Sequence, residues 1–156
     1  MMSGVELGPE NLQYAALPWR HSGGTLQILL VTTRRTRRWI LPKGWPVLGL
    51  LPHQCAALEA VEEAGIEGEA AVRPIGSFLH DKRRKSGQTV ACTVLVFPLA
   101  ATRQRRSWIE KFERETRWCT IEDALALVGN PGLCRLIRKF GKSVPSPSDR
   151  RHSAAA

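Results

Sequence analysis

Glu59, Glu62 and Glu63 stand close together in a chain of 156 residues whose formal net charge is +9. On an α-helix, residues three and four apart are neighbours, so this i, i+3, i+4 spacing can turn all three carboxylates toward one spot. Converging carboxylates repel one another unless a cation neutralises them. An all-oxygen donor set suits a hard divalent ion, Mg²⁺ or Mn²⁺. The competing reading is a solvated acidic helix face. Two features weigh against it. The segment follows the stretch Leu-Pro-Lys-Gly-Trp-Pro at 41–46, in which Gly44 lets the backbone approach an ion closely. The rest of the chain is basic, so the acids are not a compositional accident.

The positive charge is clustered as well, in RRTRR at 34–38, DKRRK at 81–85 and RQRR at 103–106. Any one such run is as readily a solvated loop. Three on one small domain point to a polyanionic partner: a polyphosphate metabolite, nucleic acid or an anionic surface.

The elements that must position these groups follow from the hydrophobic pattern. Residues 12–20 read as a strand ended by Pro18, and His-Ser-Gly-Gly at 21–24 as a turn into a second strand at 25–33. A short strand at 39–41 precedes a long loop from Pro42 to Leu51. Pro52 to Ala64 has a helical pattern, with Pro52 suited to the first turn and Gly65 to the left-handed residue that ends it. Residues 70–81 and 89–101 read as strands around a basic turn, and 116–120 as a further short strand. Thr120 opens a helix over 121–128 as an N-cap, and a second helix follows over 131–141. Strands on both sides of a carboxylate helix, with helices at the end, describe a mixed α/β layered domain.

The expected organisation is a loose lead-in over 1–11, one domain over 12–141 and a disordered tail over 142–156, which is rich in Ser, Pro and charge. No apolar run is long enough to span a membrane and no signal-like segment opens the sequence, so the expected location is cytoplasmic. Cys55, Cys92, Cys119 and Cys134 lack the spacing of a zinc site and read as buried unpaired thiols.

The stretch from Gly44 to Ile66 resembles the Nudix hydrolase signature. That pattern runs Gly, five residues, Glu, seven residues, Arg-Glu, an apolar residue, any residue, Glu-Glu, any residue, Gly, an apolar residue. With its first Gly on Gly44, residues Glu59, Glu62, Glu63, Gly65 and Ile66 fall on matching positions. The likeness extends over about 12–141. The leading strands and "RWCTIEDALALV" are similar to the opening and closing elements of bacterial Nudix proteins. The "TVACTVLVFPL" and "SWIEKFERETRW" segments resemble the diphosphoinositol and dinucleoside polyphosphate branch. Two positions depart from the pattern: Leu50 stands in the first Glu slot and Leu58 in the Arg slot. In the family that Arg helps orient the carboxylates. Losing both polar residues together leaves no orphan charge, yet it also raises the reading of a catalytically weak domain.

The resemblance implies the Nudix fold, an α/β/α sandwich with a mixed β-sheet, and a metal-dependent pyrophosphohydrolase. It implies Glu59 and Glu63 as principal ligands and catalytic residues, Glu62 as a further ligand and the Gly44 carbonyl as a backbone ligand to Mg²⁺ or Mn²⁺. The general base is left open between Glu63, Glu110 and Glu113. Arg34, Arg37, Arg38, Lys43, Arg83, Arg84 and Lys85 are the candidate cations for a substrate with several phosphates. Trp39 and Trp45 are candidates for stacking on a base, and His53 and His80 receive no role. The substrate class favoured is a dinucleoside polyphosphate or an inositol pyrophosphate. A nucleoside triphosphate, ADP-ribose or 5′-triphosphorylated RNA is the alternative within the family. A binding module for nucleotide or nucleic acid is the alternative outside catalysis. A phosphorylated small molecule is favoured over nucleic acid as partner, and dimerisation is a habit of Nudix domains.

Overall fold

The computed structural model describes residues 11–144. The expectations for 1–10 and for 145–156 lie outside the described residues. The described chain forms one mixed sheet of eight strands with three helices, and its elements in order are β1 (Leu12–Ser22), β2 (Thr25–Thr32), β3 (Trp39–Ile40), β4 (Lys43–Gly44), α1 (Pro52–Ala64), β5 (Ile66–Ala70), β6 (Gly76–Arg83), β7 (Thr89–Gln104), β8 (Thr116–Thr120), α2 (Ile121–Leu127) and α3 (Pro131–Ser143).

The long strand β7 is the spine. It runs parallel to β1 along one edge, and its other edge pairs antiparallel first with β6 and then with β5. On its far side β1 pairs antiparallel with β4 at Tyr14–Ala15 and with β2 at Trp19–Ser22. The other edge of β2 carries β8. Both faces of the sheet are covered. Alternation along β1 separates Tyr14 and Ala16 from Gln13, Ala15, Leu17 and Trp19. Gly44 lies opposite Tyr14, and α1 packs on that face through Glu59. The opposite face receives α3, through Phe140 against Trp19 and Gly132 against Phe78. This is the layered sandwich expected. Its core includes Ile28, Leu29, Leu30, Val94, Val96, Phe97 and Leu99, all essentially without exposure.

Several local expectations need correction. Residues 70–81 do not form one strand: β5 ends at Ala70, Ala71 to Ile75 form a connection containing Pro74, and β6 starts at Gly76. Pro18 does not end β1. The amide of Ala16 points away from β7 to donate to Pro42 O, so the missing N–H of Pro18 also faces that side, where β1 changes neighbour from β4 to β2. The tail begins later than residue 142, because α3 continues to Ser143. Lys43–Gly44, expected in a loop, is a two-residue strand on β1. Among the described residues no helix is long and apolar enough to cross a membrane.

Candidate active site

The loop into α1 is fixed by side chains of the helix itself. Gln54 Oε1 accepts from the Leu51 amide at 2.9 Å, and Cys55 Sγ accepts from the Val47 amide at 3.4 Å. Pro52 occupies the first turn, where a missing N–H costs nothing. Gly65 ends the helix in the left-handed region at φ 68°. A Cβ on Gly65 would also lie 2.2 Å from the Trp108 ring.

Trp108 belongs to a segment that doubles back along α1 after β7. The Arg105 amide donates to Gly65 O at 2.8 Å, and the Glu110 amide donates to Glu62 O at 3.0 Å. This return brings Glu110 and Arg114 to the carboxylates of the helix.

Glu59 and Glu63 meet side chain to side chain in a hydrogen bond. Glu63 is 4% exposed. Burial pushes its carboxyl up to about 9, against the lowering pull of Arg114 and with help from the charges of Glu59 and Glu110. Burial also raises Glu59, as do the charges of Glu62 and Glu110. Glu62 therefore acts on Glu59 through its charge, while Glu59 and Glu63 alone are joined directly. Among the described residues no group of three or more acidic, imidazole or thiol side chains forms a ready-made metal cage. The donors nevertheless fit a hard dication. They are all oxygen, and the charges of Glu59, Glu62, Glu63 and Glu110 crowd where a cation would relieve their repulsion. Gly44 lets the Glu59 carboxylate close over the backbone, since a Cβ there would lie 2.1 Å from Glu59 Oε1 and push it aside.

Arg114 is 12% exposed at its side chain and reaches three elements. Its Nη2 lies 3.7 Å from Glu63 Oε2, its Nε donates to Glu110 Oε1 at 3.0 Å, and its Nη1 donates to Thr32 O at 3.1 Å. Glu113 turns outward to Arg34 at 3.3 Å. Of the two acids outside the helix considered as a base, Glu110 faces the carboxylate pair.

The basic residues divide into groups. Lys43 is partly buried and donates to Gln13 Oε1 at 2.9 Å. Burial first, then Lys82, lowers it to about 8, while Glu63 holds it up. Arg37 and Arg38 line an open cavity of about 1000 Å³ with Trp39, His80, Asn130 and Arg135. Arg37 sits at φ 54°, an uncommon conformation for a side chain other than Gly. Burial, with the charges of Lys43 and Lys82, lowers His80 to about 4, so it is neutral near pH 7. Lys43, opposite Ala15 and bonded to Gln13, lies on the α3 face of the sheet, and its charge is felt at both Glu63 and His80. Arg34 touches Glu110 at 3.9 Å as well as Glu113. Arg83, Arg84 and Lys85 sit at the exposed β6–β7 turn, outside the cavity lining. Trp45 lies under Lys82 Nζ, 4.5 Å from its ring centroid. The third basic run is partly taken up by the fold, since Arg103 and Arg105 flank Glu67 at 3.6 and 3.0 Å. None of the four cysteines forms a disulfide; Cys55, Cys92 and Cys119 are buried as expected, while Cys134 is only half-buried.

Sequence reasoning missed Arg114, Arg135, Asn130 and the cavity position of His80. None has a local motif. Alternation along β6 puts His80 on the face of Phe78, the signal that could have placed it.

Comparison with known proteins agrees with this geometry. The NUDIX domain family model matches residues 13–140. Nudix hydrolase 12, mitochondrial, of Arabidopsis thaliana is 29% identical over 121 residues, covering 74% of this chain and 58% of that protein. Diphosphoinositol polyphosphate phosphohydrolase 3-alpha of Mus musculus is 31% identical over 105 residues, covering 65% of this chain and 60% of that protein. The chain therefore spans about three-fifths of the length of these relatives. In fold it superimposes on a C. elegans Ap4A hydrolase binary complex with a TM-score of 0.63 at 21% identity, covering 84% of this chain and 95% of that one. A family model spanning most of the chain, set over a sandwich in which Gly44, Glu59 and Glu63 come together, assigns the family: the chain belongs to the NUDIX domain family.

Proposed function

We propose that the protein is a metal-dependent pyrophosphohydrolase that cleaves a phosphoanhydride bond in a polyphosphorylated small molecule, with a dinucleoside polyphosphate or an inositol pyrophosphate as the favoured class. One observation carries the reading: Glu59 and the buried Glu63 interact side by side, with the Glu59 carboxylate packed over Gly44, at positions that match the family's signature. Glu59 and Glu63 would hold Mg²⁺ or Mn²⁺, with Glu62 and the Gly44 carbonyl as further ligands. When bound, the ion neutralises the diphosphate and acidifies the attacking water.

The chain's own residues supply the rest. Arg37, Arg38 and Arg135 offer guanidiniums that match phosphate oxygens in paired geometry. Lys43 offers a single charge on the cavity's face of the sheet. Arg34, Arg83, Arg84 and Lys85 would act on outer phosphates of a long substrate. Glu110 is the acid placed to take a proton from water outside the ligand pair, held for that task by Arg114. The names of the mouse and nematode relatives speak of an inositol polyphosphate and of Ap4A, which supports a substrate with several phosphates.

Leu50 and Leu58 favour a second reading, a domain that binds such ligands without turnover. Phosphate release decides between them. Diadenosine polyphosphates, inositol pyrophosphates, nucleoside triphosphates, ADP-ribose and triphosphorylated RNA are offered with Mg²⁺ or Mn²⁺, with Glu63→Gln as control. Turnover of one class, lost in the variant, is expected. No turnover by folded protein that binds Mn²⁺ sinks the hydrolase reading in favour of the binder.

A further inference from the structure

α1 bears no lysine or arginine, yet it carries a carboxylate, Glu63, that is almost wholly buried. A buried carboxylate needs a partner that compensates and aims it. That partner comes from outside the helix, in the segment that returns along α1 just before β8. The guanidinium of Arg114 is itself nearly buried, and its three nitrogens are divided among three elements: Thr32 at the end of β2, Glu110 in the returning segment, and Glu63 in α1. Thr32 is in turn locked to the same segment, since its amide donates to Glu115 O and its hydroxyl accepts from the Glu115 amide, each at 3.0 Å. Arg114 is therefore a fixed fork on a rigid strand end. It engages Glu63 through Oε2, and Glu63 in turn meets Glu59.

We infer that Arg114 is the positioning residue of this site, aiming Glu63 and Glu110 at one point from outside the helix and filling the place of the guanidinium that Leu58 does not provide. This rests on the hydrolase reading above for what the two acids are aimed at. It differs from a purely structural role, in which Arg114 would only tie the returning segment to β2. A lysine could tie the segment by one contact but cannot hold three acceptors in a plane.

The experiment uses the full chain with Arg114→Lys, Arg114→Met, and Arg114→Met combined with Leu58→Arg. Three quantities are read: Mn²⁺ affinity of the metal-free protein by electron paramagnetic resonance, kcat and KM on the substrate found by the panel, and Tm. Arg114→Lys should fold with Tm near the parent, while Mn²⁺ affinity and kcat each fall about 10–100-fold, the range for losing a residue that supports a metal ligand. KM should stay within about twofold, because Arg114 is engaged by Thr32, Glu110 and Glu63 and is not in the cavity lining. Leu58→Arg should recover part of the loss in the Arg114→Met background. The inference is overturned if Arg114→Lys binds Mn²⁺ and turns over as the parent does. It is equally overturned if Arg114→Met lowers Tm while its folded fraction keeps the parent's Mn²⁺ affinity. A parent that binds no Mn²⁺ defeats the hydrolase reading and this inference together. A parent that binds Mn²⁺ but hydrolyses nothing defeats the hydrolase reading alone, and Mn²⁺ affinity still decides the role of Arg114.

Discussion

The carboxylate centre and the basic cavity are built in opposite ways. Glu59 and Glu63 come from adjacent turns of one helix, Glu63 buried and Glu59 half-buried, and they are held by each other and by Arg114. The cavity cations come from the β2–β3 connection and α3, are largely exposed, and face open space. A metal site needs few ligands at fixed separation, so one rigid element can supply it. A polyphosphate spreads its charge over a longer distance and is met by longer, adaptable side chains. The first kind of site should fail sharply when one atom moves, and the second should weaken by degrees.

That contrast can be pressed at four points. Glu63→Gln should lower kcat most, by roughly 10³-fold or about 4 kcal/mol, since it removes a charge on which transition-state stabilisation depends. A steady-state assay at saturating substrate and Mg²⁺ checks this, and full turnover by the variant would displace Glu63 from the ligand set. Gly44→Ala comes next. Its Cβ would lie 2.1 Å from Glu59 Oε1, so the carboxylate must move, and a displacement of that order costs about 10²-fold in rate. A crystal structure of the variant should show Glu59 shifted, and an unshifted Glu59 with lost activity would break the argument. Arg38→Ala should act on the other region, raising KM about tenfold with kcat nearly unchanged, because one exposed cation contributes uniform binding. Equal loss in kcat and kcat/KM would move Arg38 into the chemistry.

The smallest effect is a pH dependence. Folded Glu63 holds its proton up to about 9, against 4.5 for an ordinary glutamate. Its stabilising contribution is full below 4.5 and is lost as pH rises through 9. Two other groups oppose it outside the middle of that range. His80, lowered from 6.5 to about 4, favours the fold more as pH rises to 6.5. Lys43, lowered from 10.5 to about 8, does so above 8. Between about 6.5 and 8, the metal-free Tm should fall with rising pH, and added Mg²⁺ should raise Tm more at the upper end, because it binds the deprotonated carboxylates. Thermal melts with and without Mg²⁺ test it, and a flat metal-free profile would remove the proton from the Glu59–Glu63 pair.

The same contrast explains what the sequence disclosed. Pro52–Ala64 was legible to the residue because a proline at its start, a glycine at its end and the apolar spacing all agree. The acidic centre was legible because its two joined residues are four apart on that helix. The strands were read well where apolar runs are long, as in β2 and β7. They failed at 70–81, where β5 and β6 follow one another along the same edge of β7 and Pro74 alone marks the break before Gly76. The cavity was half read. Arg37 and Arg38 stood out by their density, while Arg135, Asn130 and His80 are single residues brought there by α3 and β6. Arg114 was invisible for the same reason. Its meaning lies in contacts with Thr32 and Glu63, and only the folded sheet makes those two neighbours.

The parallel pairing of β1 with β7 has a consequence for how the protein is made. Leu12–Trp19 find their partners at Thr93–Ala100, so the contact that joins the two halves of the sheet spans most of the chain. Such long-range closure is entropically slow, and it cannot begin on the ribosome until β7 has emerged. At about 5–20 residues per second, the β1–β2 hairpin waits several seconds with the edge meant for β7 unpaired. Until β7 emerges, the edge of β1 that pairs with it is an open row of N–H and C=O groups, a template to which other strands can add. The helix that bears the acids forms early from local contacts, but it has no complete sheet to lie on until that late strand arrives.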